Sequence, residues 1–246
     1  YIFPMDSAFY TGKDAKGQPK DAIVKTEHSF ANENESGTGK FMVTEREQGQ
    51  KWTMKAFPEY WDKNTGNVDE IILTPISENA TRIAALLSGD VDFIMPVPPQ
   101  DFDRIEESKD LQLITMPGTR IITFQLNSKR KPELGNAKVR QAMVYAVNNA
   151  GIVEKIMKKR ATAAGLNSAK GYDGYDAALT PRYDLAKAKE LMKEAGFEKG
   201  FTVSMVAPNN RYVNDEKIAQ AVASMLSKIN IKVELKTMPK AQYWDE

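Results

Sequence analysis

Apolar and polar residues alternate over "KFMVTEREQGQKWTMKAF". Phe41, Val43 and Glu45 share one side of the first run, and Trp52, Met54 and Ala56 share one side of the second. The "EQGQ" between them is turn-forming, so the pattern predicts a β-hairpin. "DEIILTPI" reads as a further strand, ending near Ile76. Then the period changes. Ile83, Leu86 and Leu87 recur at helical spacing, with Ser77 or Asn79 as N-cap and Gly89 as the left-handed stop. "DVDFIM" follows as a strand with Val91 and Phe93 on one face, so Asp69–Met95 reads strand, helix, strand. Pro98 or Pro99 opens a short helix that buries Phe102 and Ile105. "LQLITM" and "RIITFQLN" complete the first half as strands.

The second half is more helical. Asn136 caps a helix with Val139, Met143, Ala146 and Val147 on one side, and another helix carries Ile152, Val153, Ile156 and Met157. "TAAGLNSAKGYDGYDAALTPRY" is a long loop. Asp184 caps the next helix, with Leu185, Ala188, Leu191, Met192 and Ala195 apolar, and Gly196 ends it. "FTVSMV", "NDEKIAQAVASMLSKI" and "IKVELKTM" give strand, helix and strand. Ile218, Ala221, Val222, Met225 and Ile229 form that helix's apolar stripe. Strands alternating with helices predict α/β layering. The charged, turn-prone "NSKRKPELGN" marks a boundary, with 1–127 as a first lobe and 128–246 as a second.

Composition narrows the function. The 246 residues carry a net charge of +1, which gives no strong field toward nucleic acid or membrane. No apolar run is long enough for a transmembrane helix, and no signal peptide is visible; the abrupt start at Tyr1 fits a processed or cut form. Cysteine is absent, which removes thiolate chemistry and cysteine-ligated metals and fits an exported bacterial protein. His28 is the only histidine, so a histidine metal cluster is impossible and a Ser/His/Asp triad has little to build on. The carboxylate pairs Asp90/Asp92, Glu106/Glu107 and Asp245/Glu246 read as solvated faces. "GTG" at Gly37–Gly39 precedes a strand and is not a phosphate loop. "KIMKKR", Lys155 to Arg160, reads as a helix face ending in cations.

Ligands of open α/β sheets sit outside the carboxyl ends of the strands. That rule selects Pro75–Asn79 and Met95–Gln100 in the first half and "APNNRYVN", Ala207 to Asn214, in the second. Asn209, Asn210, Arg211 and Tyr212 offer amides, a guanidinium and a ring to a polar solute; the plainer reading is a solvated loop. In "MPVPPQ" the prolines fix the backbone and remove amide donors, leaving carbonyls and apolar surface. Met95, Pro96 and Val97 then form one cleft wall and Asn209–Tyr212 part of the other. The competing reading puts Met95 in the core and gives Pro98 and Pro99 only a helix to start.

"GTGKF" with its hairpin, "FPEYW", "DEIILTPISENATRIAALLSGDVDF", "AKVRQAMVYAVNNAGIV", "YDLAKAKELMKEAGF" and "INIKVEL" follow one another in the order seen in family 5 solute-binding proteins. The chain resembles roughly the middle half of a member. Lys40, Phe57 and Asn230 depart from the family's usual proline, asparagine and glycine. The resemblance implies a two-lobed periplasmic-binding-protein-like α/β fold (class II, cluster C type), here lacking part of the first lobe. It implies no enzyme and no cofactor, but the substrate-binding component of an ABC importer, a periplasmic or extracytoplasmic monomer that carries a peptide to an inner-membrane permease. An oligosaccharide, an opine-like compound or chelated nickel are the alternatives within the family, and a cleft hydrolase is the alternative of another class. Arg120–Asn127 would be a crossing strand between lobes, which adds Arg120 and Thr123 to the ligand-binding candidates.

Overall fold

The computed structural model describes residues 7–18, 20, 30–63, 65–116 and 118–244. His28, Asp245 and Glu246 lie outside them. The chain forms two compact units, Tyr1–Ser77 and Glu78–Glu246.

In the first unit, two single helical turns, α1 (Ser7–Tyr10) and α2 (Phe30–Glu33), are joined by an aromatic cluster. Phe9 lies 5.0 Å from Tyr10 and 5.4 Å from Phe30 between ring centroids. The predicted hairpin forms: β1 (Phe41–Glu47) pairs antiparallel with β2 (Lys51–Ala56), with a bulge between Val43 and Glu45. β3 (Glu70–Leu73) adds antiparallel to β2, giving the order β1-β2-β3.

The second unit opens with α3 (Asn79–Ser88), which buries Arg82, Ile83 and Leu86. Its N-cap is Glu78, not Ser77 or Asn79, and the Asn79 side chain instead accepts from Arg82. Gly89 ends the helix at φ +80°, the left-handed conformation expected of it. Pro98 precedes a 3-10 turn, Pro99–Asp101, which leads into α4 (Phe102–Glu106) with Phe102 and Ile105 buried as predicted. Ile83, Leu86, Ile94 and Ile105 make one small core.

Three predicted strands do not form. "DVDFIM", "LQLITM" and "RIITFQLN" belong to no ladder among the described residues. The strand–helix–strand unit over Asp69–Met95 is therefore reduced to β3 and α3. A strand exists only where a neighbour supplies hydrogen bonds. β3 finds its neighbour in β2, whereas Ile114, Met116, Ile122, Phe124 and Leu126 stay exposed.

After a 3-10 turn (Pro132–Gly135) come α5 (Ala137–Ala146) and α6 (Asn149–Lys155). The Asn136 side chain accepts from the Lys138 N–H, the predicted cap. Two positions misread from spacing are Ile156 and Met157, which lie beyond the end of α6. Lys158 and Lys159 then take positive φ (50° and 61°), so "KIMKKR" leaves the helix rather than forming its face. α7 (Leu185–Glu194) is capped by Asp184, as expected.

β4 (Phe201–Pro208), α8 (Asp215–Ser227) and β5 (Ile231–Met238) form the second strand–helix–strand unit, with β4 and β5 parallel in the register Phe201 to Ile231. Helices α5, α7 and α8 and this sheet share the main core, in which Val139, Met192, Leu226, Ile229 and Ile231 are almost fully buried. Asn230 turns the chain into β5 at φ +62° and donates its amide to the Glu198 carbonyl, so it serves where a glycine would. A single helical turn, α9 (Lys240–Tyr243), follows. No helix among the described residues is long and apolar enough to cross a membrane.

Candidate functional site

All the predicted binding residues fall in the second unit. The candidate segment Met95–Val97 is a loop between α3 and the turn that begins at Pro99. Met95 is 78% exposed, so the reading that placed it in the core is overturned. Val97 is half-buried against the Ile83/Ile105 cluster, and Pro98 and Pro99 are buried. Arg82 reaches from the buried face of α3, and its Nε and Nη2 both donate to the Pro96 carbonyl, at 3.1 and 3.0 Å. The Pro98 carbonyl accepts from the Asp101 N–H and the Pro99 carbonyl from the Phe102 N–H. The expectation that the prolines leave free carbonyls is therefore corrected: the carbonyls of Pro96, Pro98 and Pro99 are all engaged internally. What this segment presents is side chains.

The second loop is shorter than expected, because β4 runs on through Ala207 and Pro208. The backbone of Asn209 donates to Met238 and the Asn210 side chain accepts from the Lys240 N–H, so both tie the loop to the end of β5. Asp215, only 7% exposed, opens α8 and takes the N–H groups of Arg211 and Tyr212, each at 2.9 Å, on one carboxylate oxygen. A carboxylate at a helix N-terminus satisfies donors and complements the dipole.

The structure brings some of the candidates together. The Arg120 guanidinium lies 5.5 Å from the centroid of Tyr212 and the Arg211 guanidinium 4.9 Å from it, so two cations share one ring. Thr123 is exposed three residues on from Arg120. Gln100, at the end of the proline-rich segment, donates to the Asn214 side chain at 2.8 Å, which ties the first loop to the second. Asn214 itself sits at φ +56° and donates to the Ile156 carbonyl just past α6. Beside this link Arg160 meets Glu106 at 2.6 Å and lies 5.5 Å from the Phe102 ring centroid.

Arg82 and Asp215 were absent from the sequence-based set, and Gln100 and Asn214 lay at the ends of its loops without being singled out. Arg82 carried a signal, since it neighbours Ile83 and stands four residues before Leu86 on the buried face. Asp215, four residues after Arg211, was legible as a helix-start carboxylate. The Gln100–Asn214 link spans 114 positions and had no local signal.

The arrangement suits binding more than catalysis. Two guanidinium groups beside a ring can hold a carboxylate, and an apolar wall can hold a side chain. Two of the carboxylates read as solvated have structural partners: Ser88 donates to Asp90, and Arg160 pairs with Glu106. Among the described residues no group of three His, Cys, Asp or Glu could hold a metal ion.

Residues 6–246 match the family "Bacterial extracellular solute-binding proteins, family 5 Middle". Glutathione-binding protein GsiB of Salmonella typhi is 30% identical over 212 residues, covering 84% of this chain and 40% of that one. A solved structure of AgaA from A. tumefacien, in complex with agropinic acid, superposes with a TM-score of 0.69 at 32% identity, covering 84% of this chain and 42% of that one. DppA from Helicobacter pylori, in complex with the peptide STSA, superposes with a TM-score of 0.71 at 24% identity, covering 84% and 40%, and shows the likeness of fold. The chain thus spans about 40% of the length of these relatives. The fold is that of the periplasmic binding proteins of this family. The chain belongs to the bacterial extracellular solute-binding proteins of family 5.

Proposed function

We propose that this chain is the middle portion of the substrate-binding component of an ABC importer, and that it binds a peptide or peptide-like solute in a cleft between lobes 1–127 and 128–246. The match to family 5 over residues 6–246 carries this reading. The receptor works outside the cytoplasm as a monomer and hands its ligand to a membrane permease. Met95, Pro96 and Val97 line one wall. Asn209, Asn210, Arg211 and Tyr212, with Arg120 and Thr123, line the other, where the guanidinium groups meet a ligand carboxylate. Closure is a shift of population toward the form in which both walls touch the ligand. The exposed apolar residues Ile122, Phe124 and Leu126 fit Arg120–Asn127 as a crossing segment whose strand partners lie in the longer receptor.

An opine-like solute is the second reading, favoured by the 32% identity to AgaA. Both readings use a carboxylate-bearing ligand, so the same residues serve either.

Thermal unfolding of the full-length receptor against peptide pools, glutathione and agropinic acid tests this. A ligand present at a hundredfold excess over its Kd stabilises the native state by about 2.7 kcal/mol. A raised Tm with peptides or glutathione supports the first reading, and with agropinic acid alone the second. No shift with any of them overturns both.

A further inference from the structure

Arg82 is a cation in an apolar setting: only 8% exposed, on the same helix face as Ile83 and Leu86, which belong to the smaller core. A buried guanidinium is costly unless its donors are used. Here Nε and Nη2 converge on one acceptor, the Pro96 carbonyl, and Nη2 also reaches Asn79 Oδ1. The planar fork can place two donors on that oxygen, whereas a lysine ammonium on its flexible stem cannot copy the geometry.

The position of that carbonyl matters more than its energy. Pro96, Pro98 and Pro99 have no N–H, and Pro98 and Pro99 spend their carbonyls on Asp101 and Phe102. Arg82 takes the remaining proline carbonyl. The segment so braced turns outward Phe93 and Met95, 74% and 78% exposed, while Val97 stays anchored against the small core. The other end is held by the Gln100–Asn214 hydrogen bond.

We infer that Arg82 is a specificity-positioning residue: by engaging the Pro96 carbonyl it makes the Met95–Val97 wall a subsite for an apolar ligand side chain, not a partner for ligand backbone. The inference rests on the binding reading above and adds the chemistry of this wall. Arg82 does not touch ligand; it acts through the placement of Met95 and Val97. With the carbonyl released, the loop gains an acceptor that competes for polar ligands, and the wall loses its fixed shape.

The test uses the full-length receptor and two tripeptides, Ala-Leu-Ala and Ala-Ser-Ala, titrated calorimetrically against the native protein, R82K and R82M. Amide hydrogen exchange at Met95 and Val97 is followed without ligand. The native receptor should prefer the leucine peptide by about tenfold, the scale of discrimination an apolar pocket reaches for a few methylenes. In R82K and R82M the ratio should fall toward parity, and exchange at Met95 and Val97 should quicken. R82K guards against loss of folding in R82M, and Tm is recorded for both. A lower Tm with an unchanged preference marks Arg82 as structural only and overturns the inference while the receptor reading stands. Binding of neither peptide by the native protein, where another pool does bind, overturns the apolar subsite; binding of nothing at all overturns the receptor reading and the inference with it.

Discussion

Single residues in this chain hold positions out of proportion to their size. Gly200 sits at φ +72°, and a Cβ there would meet the Asn230 carbonyl oxygen at 1.7 Å. Gly200→Ala therefore combines backbone strain with a clash against main chain, and should cost at least about 2 kcal/mol in denaturant unfolding. Asp215 is a different case. Its carboxylate holds the N–H groups of Arg211, Tyr212 and Glu216, so Asp215→Ala orphans partly buried donors at the start of α8. A loss of about 1–2 kcal/mol is expected. Faster amide exchange at Arg211 and Tyr212 should accompany it, because the same bonds place the candidate binding loop. Asp184 and Asn136 were readable as caps from their neighbours alone, since capping is decided within four residues. Arg82 was not readable in its role: its acceptor lies fourteen positions away, and only the folded loop brings it near.

At the scale of elements, α8 illustrates how a periodic stripe becomes a core. The spacing predicted burial of Ile218, Ala221, Val222, Met225 and Ile229; Ile218, Val222 and Ile229, the last just past the helix end, are buried, Ala221 and Met225 are only half-buried, and Leu226 joins the core instead. Leu226 is 1% exposed, so Leu226→Ala should destabilise by about 2–5 kcal/mol, measured as a lowered denaturant midpoint. Helices α5 and α7 are also bridged on their surface by Lys138 and Glu194 at 2.9 Å. The hydrogen bond and charge of Lys138 hold the Glu194 carboxyl below its ordinary range. A depressed carboxylate adds stability above its unfolded pKa, and that stability is lost as pH falls through the folded value. The Glu194→Gln variant should therefore lose less stability on acidification than the native chain, and added salt should shrink the difference. The contact of α4 with the segment after α6 is also an ion pair at the surface. Glu106 and Arg160 are both partly exposed, so a double-mutant cycle should return about 0.2–1 kcal/mol.

For the whole molecule, the sequence determined what local physics can determine. Alternation gave the hairpin, helical spacing gave α3, α5, α7 and α8, and left-handed Gly89 and Asn230 marked where the chain turns. The ordered set of motifs was enough to place the chain in its family, because such patterns record whole elements and not single contacts. What tertiary structure decided was everything that needs a distant partner. "LQLITM" and "RIITFQLN" have the composition of strands, yet a strand is a relation between two segments, and β3 alone of the four first-half segments after the hairpin found its neighbour. The candidate site shows the same division. Proline chemistry made Met95–Val97 legible as a donor-poor segment, but the fate of the Pro96 carbonyl depended on Arg82, and the link to the second loop on Gln100 and Asn214. Composition and spacing act along the chain, over a few residues. Hydrogen bonds such as these act across space, and only the fold chooses which residues they join.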